Sequence, residues 1–219
     1  MLQSCQDFAA VMFIRFDYVL LIIITLSAAL VTWFLILFLL PRLNRYFLDY
    51  PNYRSSHSSP TPRGGGIVFV AITLFSCFCS LLFNSLLVTS SFFLIPFFLL
   101  PLVIISLLDD RYKLSARWRY LVQFLSAVSL VFFSPLISFA WVNILIIFIV
   151  AFSITAIINF TNFMDGLDGL VAGCMSIILL VCLIQLNAPL PYWILFGSLL
   201  GFLFWNWSPA KLFMGDVGS

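Results

Sequence analysis

The stretch "NILIIFIVAFSITAIINFTNFMDGLDGL", Asn143 to Leu170, contains both signals that decide how this chain folds. Its first part runs for about twenty residues without a charge, the length an α-helix needs to cross a bilayer. Its second part places Asn159, Asn162, Asp165 and Asp168 at steps of three, with a Gly directly after each Asp. Such steps bring successive members close together on a helix. Asp-Gly, however, is turn chemistry. The stretch reads as an apolar helix whose end opens into a tight loop presenting amide and carboxylate oxygens.

The rest of the chain repeats the first signal. Of its 219 residues, 63% are hydrophobic and 8% charged, with a mean hydropathy of +1.18. A soluble domain carries roughly 25% charged residues. Six further apolar runs accompany 142–160, at 18–40, 67–88, 91–108, 118–137, 170–187 and 191–207. They predict an all-α fold, a polytopic transmembrane bundle of about seven spanning helices. The run at 91–108 is short and contains Pro96 and Pro101, so a kink is expected there. The first run is too long for the apolar core of a cleavable signal. The five cysteines are odd in number, and four lie inside apolar runs. That argues against a disulfide framework and for small apolar fillers.

Charge assigns the sides. If the links between runs alternate across the membrane, nine of the ten Lys and Arg fall on one side, and only Arg15 on the other. The positive-inside bias makes the first side cytoplasmic, with the N-terminus outside and the C-terminus cytoplasmic. His57 and six of the eight Asp share that side: Asp49, Asp109, Asp110, Asp165, Asp168 and Asp216. The bias concerns Lys and Arg, so carboxylates gathered on one face need another reason. The net charge of +2 is too small to argue for nucleic acid.

Four cytoplasmic segments carry candidate chemistry. "DYPNYRSSHSSPTPRGGG", Asp49 to Gly66, offers Arg54, His57 and Arg63 as phosphate donors. If its three glycines lead straight into the helix at Ile67, their N–H groups would face an anion. The spacing is not that of a Walker A loop. "LLDDRYKLSARWR", Leu107 to Arg119, holds Asp109 and Asp110 side by side. Adjacent carboxylates repel, so one takes a raised pKa or a cation compensates. Either outcome suits a general base or a shared metal. "NFTNFMDGLDGL" supplies only oxygen ligands, which suits a hard cation such as Mg²⁺. It lacks the spacing and closing Glu of an EF-hand. "KLFMGDVGS", Lys211 to Ser219, sets Asp216 among glycines, with Phe213 able to stack on a base. One His and Cys buried in apolar runs do not make a zinc site, and no nucleophile elbow marks a serine hydrolase. Cation-assisted chemistry on a phosphate ester fits these residue types best.

The four segments, in this order, resemble the polyprenyl-phosphate N-acetylhexosamine-1-phosphate transferases of glycosyltransferase family 4. The form "RSSHxxPTPRGGG" looks most like the branch that initiates O-antigen or similar surface polysaccharide. The resemblance implies that undecaprenyl phosphate attacks the β-phosphorus of a UDP-N-acetylhexosamine and releases UMP, with Mg²⁺ as cofactor or Mn²⁺ in its place. It implies roles by motif position. Asp216 and Asn162 would serve the metal, and Asp109 and Asp110 would bind or activate the lipid phosphate. His57, Arg63, Asp165, Asp168 and Phe213 would contact nucleotide or substrate, Phe213 against uracil. It also implies the bacterial inner membrane, with the active face cytoplasmic, and leaves a homodimer open. Members usually have ten or eleven spanning helices and a later His-containing loop. Residues 1–219 are therefore expected to be one such domain, truncated at its C-terminal end. Two other readings stay open: an inactive remnant of such an enzyme, and a transporter or flippase, which would place its ionisable groups nearer mid-membrane.

Overall fold

The computed structural model describes residues 2–51, 60–83, 94–112, 114–132 and 141–219, the side chains of 2–17, 83, 111 and 141–143 excepted. Eight helices lie in these residues: α1 (Leu2–Tyr46), α2 (Gly66–Phe83), α3 (Ile95–Phe98), α4 (Leu100–Tyr112), α5 (Ala116–Phe132), α6 (Trp141–Met164), α7 (Leu170–Gln185) and α8 (Leu190–Asn206). Two short strands, β1 (Leu48–Asp49) and β2 (Thr61–Pro62), pair antiparallel, with Leu48 opposite Pro62 and Asp49 opposite Thr61. The fold is all-α in its framework.

Two helices are long and apolar enough to cross a membrane, over Tyr18–Tyr46 and Ile144–Met164. Only 22% and 11% of their apolar windows are buried, so they are not the core helices of a soluble domain. Ile22, Phe34 and Phe38 on α1 and Leu145, Phe152 and Ile157 on α6 face outward, as lipid-facing side chains do. Three further apolar helices, Gly66–Leu82, Leu170–Gln185 and Leu190–Asn206, are shorter. The run expected at 91–108 is divided: α3 ends at Phe98 and α4 begins at Leu100. Pro101 has no N–H and its ring crowds the preceding turn, so one continuous helix is unfavourable there. Residues 2–17, expected as an outer link, instead extend α1.

One group of helices packs around α8, which lies along α1, α2 and α7. Its core holds Ile36, Leu43, Phe69, Ala172, Phe202 and Trp205. Lipid is as apolar as these side chains, so close packing rather than water exclusion must hold them together. Gly197 and Gly201 permit it. A Cβ at Gly197 would lie 2.2 Å from the Thr25 carbonyl oxygen, and one at Gly201 would lie 2.3 Å from that of Ala29. A second group consists of α4, α5 and α6, with α5 packed on both others.

The residues after α8 return across one end of the bundle and stitch the first loop to it. Phe213 N–H donates to the Pro62 carbonyl at 2.8 Å, Gly65 N–H to that of Phe213 at 3.0 Å, and Gly66 N–H to that of Met214 at 2.8 Å. Together with β1 this makes a small backbone-paired platform. Leu212 and Met214 are buried beneath it.

Candidate active site

Each candidate side chain is delivered by the end of an element. Asp109 and Asp110 occupy the last turn of α4, past the apolar run 91–108. Asn162 lies in the last turn of α6, and Asp165 begins the turn that follows. That turn closes at Gly169, whose φ of +69° suits a glycine. Leu170 then starts α7. The helix end and tight loop read from "NFTNFMDGLDGL" are thus observed. Asp216 stands in the tail, next to Gly215 with φ +76°. A Cβ at Gly215 would fall 2.8 Å from the Gly64 nitrogen and 3.1 Å from Asp110 Oδ2. Glycine there lets the first loop, α4 and the tail converge.

The convergence forms one charged centre. Arg119 Nη1 donates to Asp109 Oδ2 at 2.7 Å and lies 3.3 Å from Asp216 Oδ2. The Asn162 amide also donates to Asp216. Asp110 accepts the Asp216 backbone N–H, while its buried Oδ2 finds no hydrogen-bond partner among the described residues. Arg63 pairs with Asp49 at 2.6 Å. Burial pushes the Asp110 carboxyl up to about 6, with the Asp216 charge adding to it. Burial and then Asp216 push Asp165 up to about 7, against a smaller opposite pull from Arg63. Asp216 itself is raised, first by burial and then by its contact with Asp109. Asp110, Asp165 and Asp216 therefore sense one another, as a shared anion-rich site requires.

Two cavities open onto this centre. One, of about 660 Å³, is polar and lined by Asp49, Arg63, Asp109, Asp110, Arg119 and Asp216, among others. The other, of about 290 Å³, is mainly apolar, with Phe69, Val70, Ile95, Leu99 and Leu102 in its wall. Arg119 and Asp216 line both.

Not every candidate reaches the centre. Asp168 Oδ2 accepts the Ala210 N–H at 3.0 Å and lines neither cavity. Asn206, next to it in the fold, accepts from Gly169 N–H and donates to the Leu212 carbonyl. Asp168 thus helps tie the tail to the turn. Phe213 lines neither cavity, and its backbone belongs to the platform. His57 and Arg54 lie outside the described residues. The glycine N–H groups expected to face an anion do otherwise: those of Gly65 and Gly66 are bonded to tail carbonyls. Those glycines serve close packing instead, since a Cβ at Gly66 would sit 2.6 Å from the Gly218 Cα. Two participants are not evident from the sequence: Arg119, whose place near a helix end satisfies membrane orientation alone, and Asp49, which no motif singles out. The position of Arg119 a few residues after the Asp pair was the available signal.

No three His, Cys, Asp or Glu side chains among the described residues converge as a ready metal cage. The residues present fit a different kind of cation. Mg²⁺ takes one or two protein carboxylates and completes its shell from phosphate and water. The unpartnered Asp110 Oδ2 beside Asp216 suits that arrangement.

Comparison with known proteins places this geometry in a family. The family model described as glycosyl transferase family 4 matches residues 92–219, which include Asp109, Asp110, Arg119, Asn162, Asp165 and Asp216. A probable undecaprenyl-phosphate N-acetylglucosaminyl 1-phosphate transferase of Bacillus subtilis is 31% identical over 196 residues, covering 78% of this chain and 51% of the relative. A decaprenyl-phosphate N-acetylglucosaminephosphotransferase of Mycobacterium tuberculosis is 31% identical over 231 residues, covering 91% and 57%. A phospho-N-acetylmuramoyl-pentapeptide-transferase of Limosilactobacillus reuteri is 48% identical over 86 residues, covering 34% and 25%. The chain spans about half the length of the first two. The matched region holds most of the charged centre, and the chain belongs to glycosyl transferase family 4.

Proposed function

We propose that this site transfers a sugar-1-phosphate from a UDP-N-acetylhexosamine to a polyprenyl phosphate, most simply undecaprenyl phosphate, with release of UMP. The observation that carries the reading is the meeting of a polar and an apolar cavity at Arg119 and Asp216. A charged diphosphate donor and a long hydrocarbon acceptor differ in solubility, yet their reacting atoms must touch. A cleft wet on one side and apolar on the other, joined at a charged pair, answers that need.

In this reading the acceptor phosphate oxygen attacks the β-phosphorus. The bond from that phosphorus to the bridging oxygen breaks, and UMP leaves with the bridging oxygen. Asp110 is placed to take a proton from the acceptor phosphate, since its carboxyl is poised near 6. Arg63 and Arg119 neutralise the gathering phosphate charge, and the Asp109 contact holds Arg119 in place. Asp216, with Asn162 beside it, would hold Mg²⁺, and the unpartnered Asp110 Oδ2 borders the same space. That cation would supply charge neutralisation across the diphosphate. Asp165 sits within electrostatic reach of Asp216 and Asp110.

The reading places the protein in the bacterial inner membrane with the site facing the cytoplasm, where UDP-sugars are available. The form of the first loop supports an O-antigen-type or related envelope polysaccharide. Purified protein given UDP-N-acetylglucosamine, Mg²⁺ and undecaprenyl phosphate should release UMP only when the lipid is present. UMP release without lipid, or none with any UDP-N-acetylhexosamine, would sink the assignment for this chain.

A further inference from the structure

One turn deeper than the carboxylates lies a polar contact that the transfer chemistry does not use. Gln123 on α5 is only 4% exposed and lines the apolar cavity. Its Oε1 accepts from Asn159 Nδ2 of α6 at 2.5 Å, and the same Nδ2 also donates to the Thr155 carbonyl at 2.8 Å. Gln123 follows Arg119 by four residues, and Asn159 precedes Asn162 by three. Each pair therefore shares a helix face.

Those spacings make two successive rungs between α5 and α6. In the first, Arg119 and Asn162 reach toward each other and both hold Asp216, which comes from the tail. In the second, Gln123 and Asn159 meet directly. The first rung closes only if α5 and α6 stand at the right height and rotation. Apolar contacts between the two helices, such as Phe124 against Phe148, are non-directional and tolerate sliding more readily than a hydrogen bond does. A buried amide enforces that placement, since burying it without a partner is unfavourable. Leucine at 123 would fill similar space but accept many registers.

We propose that Gln123 is a positioning residue of the charged centre. Through Asn159 it sets the register of α5 on α6, so that Arg119 and Asn162 meet on Asp216. The kinetic consequence rests on the transferase reading; the structural one does not.

The test uses the full chain in nanodiscs, with its five cysteines replaced by serine and spin labels at the exposed positions Tyr120 and Phe160. Gln123→Leu should shift or broaden the distance distribution between the labels. It should lower kcat for UMP release at least tenfold, with KM for the UDP-sugar changed less than twofold. The exchange variant Gln123→Asn with Asn159→Gln restores the summed side-chain length. It should recover the distribution and bring kcat within threefold of the parent. An unchanged distribution in Gln123→Leu would overturn the proposal. So would a shifted distribution with unaltered kcat, or an exchange variant no better than Gln123→Leu. If the parent shows no UMP release, the transferase reading of this chain fails, and the distance measurements alone decide whether Gln123 sets the register.

Discussion

Arg119 lies 3.3 Å from Asp216 while the same guanidinium nitrogen donates to Asp109. The pair joins α5 to the tail and forms the wall common to both cavities. Arg119→Gln keeps a polar side chain but removes the charge that two carboxylates share. Turnover should fall about 100-fold, or ~2.7 kcal/mol of transition-state stabilisation, with membrane insertion retained. Kinetics of UMP release, with membrane fractionation alongside, check this. A loss below threefold would show that the pair has no part in the reaction.

Asp216→Asn is nearly the same shape, so the platform should survive it. UMP release should be abolished while the protein still inserts and purifies normally. Turnover like that of the parent would remove Asp216 from the proposed cation site.

Asp110 and Asp165 give a pH dependence of definite sign. Their folded-state values are raised to about 6 and about 7, from 3.8 in the unfolded chain. Between 3.8 and those values the folded state binds more protons, so its stability falls as pH rises. Without divalent cations, the unfolding temperature in detergent should be higher near pH 5 than near pH 8. Asp165→Asn should flatten the curve. A parent curve that rises over this range would contradict the described surroundings of both carboxylates.

Gly66→Ala tests the platform. The new Cβ would meet the Gly218 backbone at 2.6 Å, and backbone cannot step aside as a side chain can. Overpacking of this kind costs about 1–3 kcal/mol, a fall in Tm of roughly 2–12 °C for a chain of this size. Limited proteolysis should also cut sooner within 207–219 than in the parent. Gly173→Ala, which meets nothing within 4 Å inside α7, is the matched control and should lower neither the Tm nor the resistance to proteolysis.

Much of this was legible in the sequence because it is local. Asn162, Asp165 and the Gly after it announce a helix end and turn within one short stretch, and Pro96 and Pro101 announce the break near Leu99. The gathering of Asp109, Asp110, Asp165 and Asp216 was also foreseeable, because charge bias put their segments on one side. Non-local pairing was not legible. Nothing in "PRGGG" says that its amides pair with Phe213 and Met214, far along the chain. Asp168 and Asp165 look alike in a repeated Asp-Gly, yet only Asp165 faces the other carboxylates, while Asp168 accepts the Ala210 N–H. Arg119 was hidden by its commonest explanation, since any arginine near a helix end satisfies the orientation rule.

The backbone pairing between residues 62–66 and 213–214 also has a temporal meaning. A chain made from its N-terminus threads its helices into the membrane in order, and the tail emerges from the ribosome after all eight. Until then the glycine amides of the first loop lack their carbonyl partners, and Arg119 has one carboxylate instead of two. The charged cleft is thus completed only after all eight described helices have been made. A nascent chain halted at Trp207 would own every helix described here and still lack Asp216, the carboxylate on which Arg119 and Asn162 meet.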